Sequence, residues 1–281
     1  MGNTQIKSTM ATRAKVKAVI REKVEEHFLA STFGKFFLEV TSLATFTLRF
    51  FKELFRPPYE FNELLKQSFL VGYKSLPLVA ITGFIIGLVL TIQSRPTLAK
   101  FGAVSMLPAM VAVSIIREIG PVITSLIFAG KVGSGIGAEL ASMKVTEQID
   151  AMQVSGTNPF NYLVVTRVLA TTLMLPILVV FADAIGLLGS FVGVNLKGHV
   201  SAYFFFLQVF QSLEFNDFLP AVVKTYFFGF AIGLVASYKG YYSNNGTEGV
   251  GKAANSAVVF ASLLVFLIDM VAVQITSLFQ Y

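Results

Sequence analysis

Charged side chains inside apolar runs are the residues of this sequence best placed to do chemistry. Arg117 and Glu118 sit near the middle of one such run, Lys224 in the outer half of a second and Asp269 at the centre of a third. Asp183 lies in a fourth. Each run approaches or exceeds the roughly 20 residues that a bilayer-spanning helix needs, and an ionisable group near a bilayer centre costs about 2.5–3.5 kcal/mol on insertion scales. Two acids and two bases from three helices can form a polar ring around a shared cavity and meet a charged or zwitterionic head group. The same set can equally lock helices together as ion pairs. Adjacent helical residues diverge by about 100°, so Arg117 and Glu118 are expected to point different ways. Pro121, within one turn, predicts a kink and a freed carbonyl beside them. Asp183 reads as a lone helix-packing or interfacial acid.

Other chemistries find little support. The sequence has no Cys, which removes disulfides, thiolate metal sites and Cys nucleophiles, and its two His (His27 and His199) have no zinc-binding spacing. Gly246-Thr-Glu-Gly-Val-Gly251-Lys252 has P-loop spacing, but Ala253 stands where a Ser or Thr hydroxyl must hold Mg²⁺. A flexible glycine-rich turn is the better expectation there. Gly133-Ser-Gly135-Ile-Gly137-Ala138 fits a relaxed dinucleotide pattern without the preceding strand, and is expected to form the bend where the chain leaves the bilayer.

The elements that must position the charges follow from composition. Of 281 residues, 54% are hydrophobic and 14% charged, with 28 Phe, whereas a soluble domain carries about 25% charge. The expected fold is all-α: a polytopic membrane protein with about five transmembrane helices, preceded by an amphipathic, interfacial helix region over 1–60. Spans are predicted near 68–93, 106–130, 162–193, 218–237 and 256–280, the third long enough to be tilted or broken. Residues 7–29 read as a basic amphipathic helix, and 33–55 as an interfacial helix ended by Arg56-Pro57-Pro58. Half of the 22 Lys and Arg fall in the first 67 residues, which predicts a cytoplasmic N-terminus rather than nucleic-acid binding. Neither a secretory signal nor a myristoylation pattern is evident, Ile6 standing where the latter wants Ser or Thr. Loops 131–161 and 238–255 are then inside, and 94–105 and 194–217 outside. Gly83 with Gly87, Gly189 with Gly193, and Gly229 with Gly233 are spaced so that helices can approach closely in lipid.

Between the second and third spans, GAELASMKVTEQIDAM (137–152) places Leu140, Met143, Ile149 and Met152 near helical spacing, with Glu139, Lys144, Glu147, Gln148 and Asp150 on other faces. This predicts one short amphipathic helix, covering the inner end of the bundle or docking into a groove on a partner subunit.

The stretch REIGPVITSLIFAGKVGSGIGAELASMKVTEQIDAM, from Arg117 to Met152, closely resembles the MlaE (YrbE) family of ABC transporter permeases, and the resemblance extends over roughly 60–281. It implies a permease domain over 61–281, the membrane-embedded subunit of an ATP-driven transporter moving phospholipids or related lipids between membranes. It further implies a homodimer in the bacterial inner membrane, a separate cytoplasmic ATPase binding ATP and Mg²⁺, an MCE-domain partner, and no cofactor or catalytic residue in this chain. By position, Arg117, Glu118, Lys224 and Asp269 match the family's lipid-pocket charges, and Glu139, Met143, Lys144, Glu147, Gln148 and Asp150 lie in its coupling helix. Asp183 has no counterpart. The alternative is a proton-coupled secondary transporter, with Glu118 and Asp269 relaying protons. A non-transporting membrane scaffold would leave the charges as packing elements.

Overall fold

The computed structural model describes residues 32–196, 198–243 and 246–279, so the amphipathic helix expected over 7–29 lies outside the described residues. The chain divides into two compact bodies, Met1–Lys52 and Glu53–Tyr281. The described part of the first is helix α1 (Thr32–Leu54), which runs on into the second body by two residues. It stops just ahead of Arg56-Pro57-Pro58, because a proline excludes the preceding residue from helical backbone.

The second body is helical, with no strand among the described residues. Among the described residues, five segments are long and apolar enough to cross a membrane: Phe61–Lys100, Val104–Val145, Phe160–Asn195, Phe215–Tyr241 and Gly246–Leu278. Their number agrees with the sequence reading, and each is longer. In a bilayer every backbone N–H and C=O must be satisfied internally, which continuous helices do. The first segment consists of α2 (Phe61–Tyr73) and α3 (Leu76–Lys100). In the second, wide π-turns at Ile115–Ile119 and Ala129–Gly133 separate α4 (Leu107–Ser114), α5 (Gly120–Phe128) and α6 (Ser134–Val145). A third π-turn, Phe160–Val165, leads into α8 (Thr166–Asn195), after the short α7 (Gln148–Val154). Helices α9 (Ala202–Ser212), α10 (Phe215–Tyr241) and α11 (Gly246–Phe279) complete the order.

Several expectations are corrected. The third span begins with the π-turn and then runs without a break at Pro176 through the 30 residues Thr166–Asn195, since neighbouring helices can re-satisfy the backbone around a proline in a span. The loop expected over 194–217 contains α9. Ser201 caps it by accepting the Phe204 N–H at 3.3 Å, and its buried Phe205 and Val209 pack on Leu107, Val111 and Ile115. Gly246–Lys252 is the first part of α11, not a flexible turn, and Gly133–Ala138 lies within helix rather than at a bend. The single helix expected over 137–152 is two helices. They meet at Thr146–Glu147, where Glu147 takes a left-handed φ of 59° and Lys144 closes the corner on Asp150 at 2.9 Å.

Helix α8 is the centre of the bundle, and glycine brings its neighbours to it. Gly83 and Gly87 of α3 lie on the backbone of Ala182 and Gly186, and Gly189 and Gly193 of α8 lie on Phe84 and Thr91 of α3. Thr91 Oγ1 then reaches Ser190 Oγ at 2.8 Å, a buried bond across the contact. On the α10 side, Gly229 and Gly233 rest against Thr171 and Val168. A methyl group at Gly87 would overlap the main chain of Gly186, which cannot swing aside as a side chain can. Overpacking typically costs about 1–3 kcal/mol. Gly87→Val is therefore expected to lower the melting temperature of the detergent-purified protein sharply. Gly135→Ala, where nothing lies within 4 Å, should leave it unchanged or slightly higher. Equal behaviour of the two variants in thermal unfolding would rule out backbone contact as the basis of the packing.

Candidate functional site

The site is built on the π-turn at Ile115–Ile119. Its apolar side, Ile115 and Ile116, is buried, and the turn closes with the Gly120 N–H donating to Ile115 O. Pro121, having no N–H, follows directly. A π-turn inserts an extra residue per turn, so neighbouring side chains diverge less than in an α-helix. Arg117 and Glu118 accordingly both reach α10, contrary to the expectation that they diverge. Arg117 Nη1 lies 3.4 Å from Asp217 Oδ1, and Lys224 Nζ donates to Glu118 Oε2 at 2.7 Å. Asp217 and Lys224 are seven residues apart, two turns along one helix face.

Lys224 is the hub. Its side chain is only 6% exposed and also donates to Asp269 Oδ1 at 2.9 Å, tying α10 to α11 as well as to the π-turn. Asp217 also shapes the start of its own helix, where its Oδ2 accepts the Glu214 N–H at 3.3 Å within the capping box of α10. Arg117 and Glu118 remain 41% and 43% exposed on their side chains, so both present charge to the space beside them. Asp217 and Lys224 lie in the first half of α10, and Asp269 in the second half of α11.

Arg117, Glu118, Asp217 and Lys224 line a narrow cleft of about 70 Å³ between the π-turn, α10 and α11. Toward α9 it widens into a polar mouth of about 700 Å³, bounded by Arg117, Ser212, Glu214 and Asp217. Along the outside of α10 and α11 runs an apolar groove of about 620 Å³, lined by Leu219, Val223, Phe227, Leu267 and Val271. Lys224 and Pro220 border both the narrow cleft and the groove, so charge meets hydrocarbon at one place.

Asp183 stays out of the cleft. It is buried on α8 against Gly120, whose missing Cβ makes the room, and its Oδ1 has no hydrogen-bond partner. Among the described residues no cluster of His, Asp and Glu could hold a metal ion.

The residues expected to face a partner have mixed fates. Glu147, Gln148 and Asp150 are exposed at the α6–α7 corner, Met143 and Lys144 half-buried, and Leu140 and Ile149 buried in the bundle end. Glu139 accepts from Arg167 Nη2 at 2.8 Å, and its side chain remains 53% exposed. Arg167, buried at 2% in the third span, escaped the sequence reading although the rule that found Arg117 applies to it. Asp217 was also missed, and the Glu-x-x-Asp capping pattern ahead of an apolar run was its available signal.

Fold and cleft together define a polytopic all-α membrane protein of the permease kind. Residues 64–275 match the family described as Permease MlaE, and the chain belongs to that family. It is 39% identical over 233 residues to a probable ABC transporter permease of Rickettsia typhi, covering 83% of this chain and 90% of that one. Identity to a probable ABC transporter permease of Pyropia yezoensis is 37%, covering 75% and 80%. To the intermembrane phospholipid transport system permease protein MlaE of Haemophilus influenzae it is 35%, covering 76% and 83%. The chain is thus an ABC transporter permease subunit rather than an enzyme, and family membership favours ATP-driven over proton-coupled transport.

Removing one member of a buried ion pair costs about 3–5 kcal/mol because its partner stays behind uncompensated. Lys224→Met is expected to destabilise the purified protein by less than that range, because Glu118 left behind is 43% exposed and Asp269 18%, and Lys224→Met/Asp269→Asn to recover part of the loss. Thermal unfolding in detergent checks this, and a single variant as stable as the parent would remove Lys224 as the hub.

Proposed function

We propose that this permease handles a phospholipid or a closely related lipid. The observation that carries the reading is the junction at Lys224 of a charged cleft with an apolar groove, a shape matched to an amphiphile. The exposed Arg117 guanidinium is suited to a phosphate, since its fork can grip two oxygens. The exposed Glu118 carboxylate can meet an ammonium on the same head group. Lys224 and Asp269 hold the electrostatic frame in which this happens, and acyl chains lie in the groove between α10 and α11.

In this reading two copies of the chain enclose the lipid path in a bacterial inner membrane, with the N-terminus and the α7 corner cytoplasmic. A separate ATPase subunit binds ATP and Mg²⁺ and docks on Glu147, Gln148 and Asp150, while an MCE-domain protein passes lipid on the opposite side. Closure of the ATPases moves the α7 corner and narrows the cavity, a population shift between two packed states.

Two experiments test this. In lipid transfer by the reconstituted complex, Arg117→Leu and Glu118→Leu should each reduce the rate by at least about tenfold, the loss of a charge-assisted contact of about 1.5–3 kcal/mol. Transfer intact in both would assign the charges to helix packing alone. Glu147→Lys changes charge at a position whose backbone is equally strained for either residue, so loss of ATPase in a pull-down reports docking rather than folding. Unaltered pairing in both Glu147→Lys and Asp150→Lys would remove the α7 corner as the docking site.

A further inference from the structure

The polar network that the cleft leaves unused lies at the other end of the bundle, where the chain leaves α7 for α8. Asn158 Oδ1 accepts the main-chain N–H groups of Phe160 and Asn161 at 3.1 and 3.3 Å and so starts the π-turn. Its Nδ2 donates to Glu53 Oε2 at 2.8 Å. Asn161, 6% exposed, spends its amide on two main-chain oxygens, Arg56 O at 3.2 Å and Pro58 O at 3.0 Å. One residue on, the Tyr162 hydroxyl donates to Glu63 Oε2 at 3.2 Å, and Glu63 Oε1 accepts from Gln67 at 2.7 Å.

These bonds bind residues 53–63 to 158–162, about a hundred positions apart in sequence. The turn with Pro57 and Pro58 lacks two main-chain N–H groups, so it makes fewer bonds to its own carbonyls. Asn161 meets two of them. Glu53, Glu63 and Asn161 are buried while Asn158 lies at the surface, and the bonds among them, made together, stiffen one another.

We propose that Glu53, Asn158 and Asn161 form a mechanical joint, a set of positioning residues that carries displacement of the α7 corner into residues 53–63 and on to α2. The proposal rests on the docking of an ATPase at that corner. The joint moves as one piece: α2 and the base of α8 shift together while the glycine contacts above them hold.

The chain has no Cys, so a pair can be introduced cleanly. In the permease–ATPase complex reconstituted in vesicles, Glu53→Cys/Asn158→Cys is expected to lower transfer of a fluorescent phosphatidylethanolamine about tenfold, while ATP hydrolysis stays within about twofold of the parent. Bridging the two thiols with a short bifunctional methanethiosulfonate should restore transfer in the same sample, which a misfolded permease could not do. Parental transfer by the unbridged pair, or a bridge that fails to restore transfer or stops it, overturns the joint. The docking reading is judged separately by ATPase pull-down with Glu147→Lys, so the failure of one is distinguishable from the failure of the other.

Discussion

Backbone contact along α8 is the constraint on which the rest of the molecule depends. Lipid supplies no hydrophobic force to drive one apolar helix onto another, so association rests on close packing and on hydrogen bonds between helices. Gly83, Gly87, Gly189 and Gly193 permit that approach on the α3 side, and Gly229 and Gly233 on the α10 side. The consequence reaches the site. Helix α10 carries both Asp217 and Lys224, and bonds of 2.7 and 2.9 Å from Lys224 do not survive a displacement of an ångström. The small residues at and beyond the middle of α10 thus set the geometry of charges in its first half.

The three π-turns are the second device. Each inserts a residue and rephases the helix that follows, and such turns are found frequently at functional sites. The turn at 115–119 lets Arg117 and Glu118 address one neighbouring helix. The turn at 160–165 brings Asn161 and Tyr162 to face residues 53–63. Pro121 and Asn158 help locally, one by withholding an N–H and the other by capping two.

Much of the fold was legible in the sequence because spans are set by length and apolarity, local properties of a run. The end of α1 before Pro57-Pro58 and the glycine pairs were legible for the same reason, since a proline or a missing Cβ acts where it stands. Helix α9 was missed because its amphipathic pattern sits in a segment bounded by loop-like residues. The start of α11 was missed because Gly246, Gly249 and Gly251 suggest a turn by propensity, which tertiary packing overrides. The corner at Thr146–Glu147 has no glycine to announce its positive φ.

Residue type and depth identified Arg117, Glu118, Lys224 and Asp269 as expensive in a bilayer and therefore as a set. That judgement needs only the sequence, because the cost of burying charge belongs to each residue alone. Which charge answers which is a matter of distance between helices. The tertiary structure decided that Lys224 takes Glu118 and Asp269, that Arg117 takes Asp217 instead, and that Glu139 takes Arg167. The sequence alone therefore determined the membrane class, the spans and the identity of the charged residues. Their partners, and the meeting of charge with an apolar groove at Lys224, depend on how α8 packs its neighbours, because an ion pair exists only at a distance that packing sets.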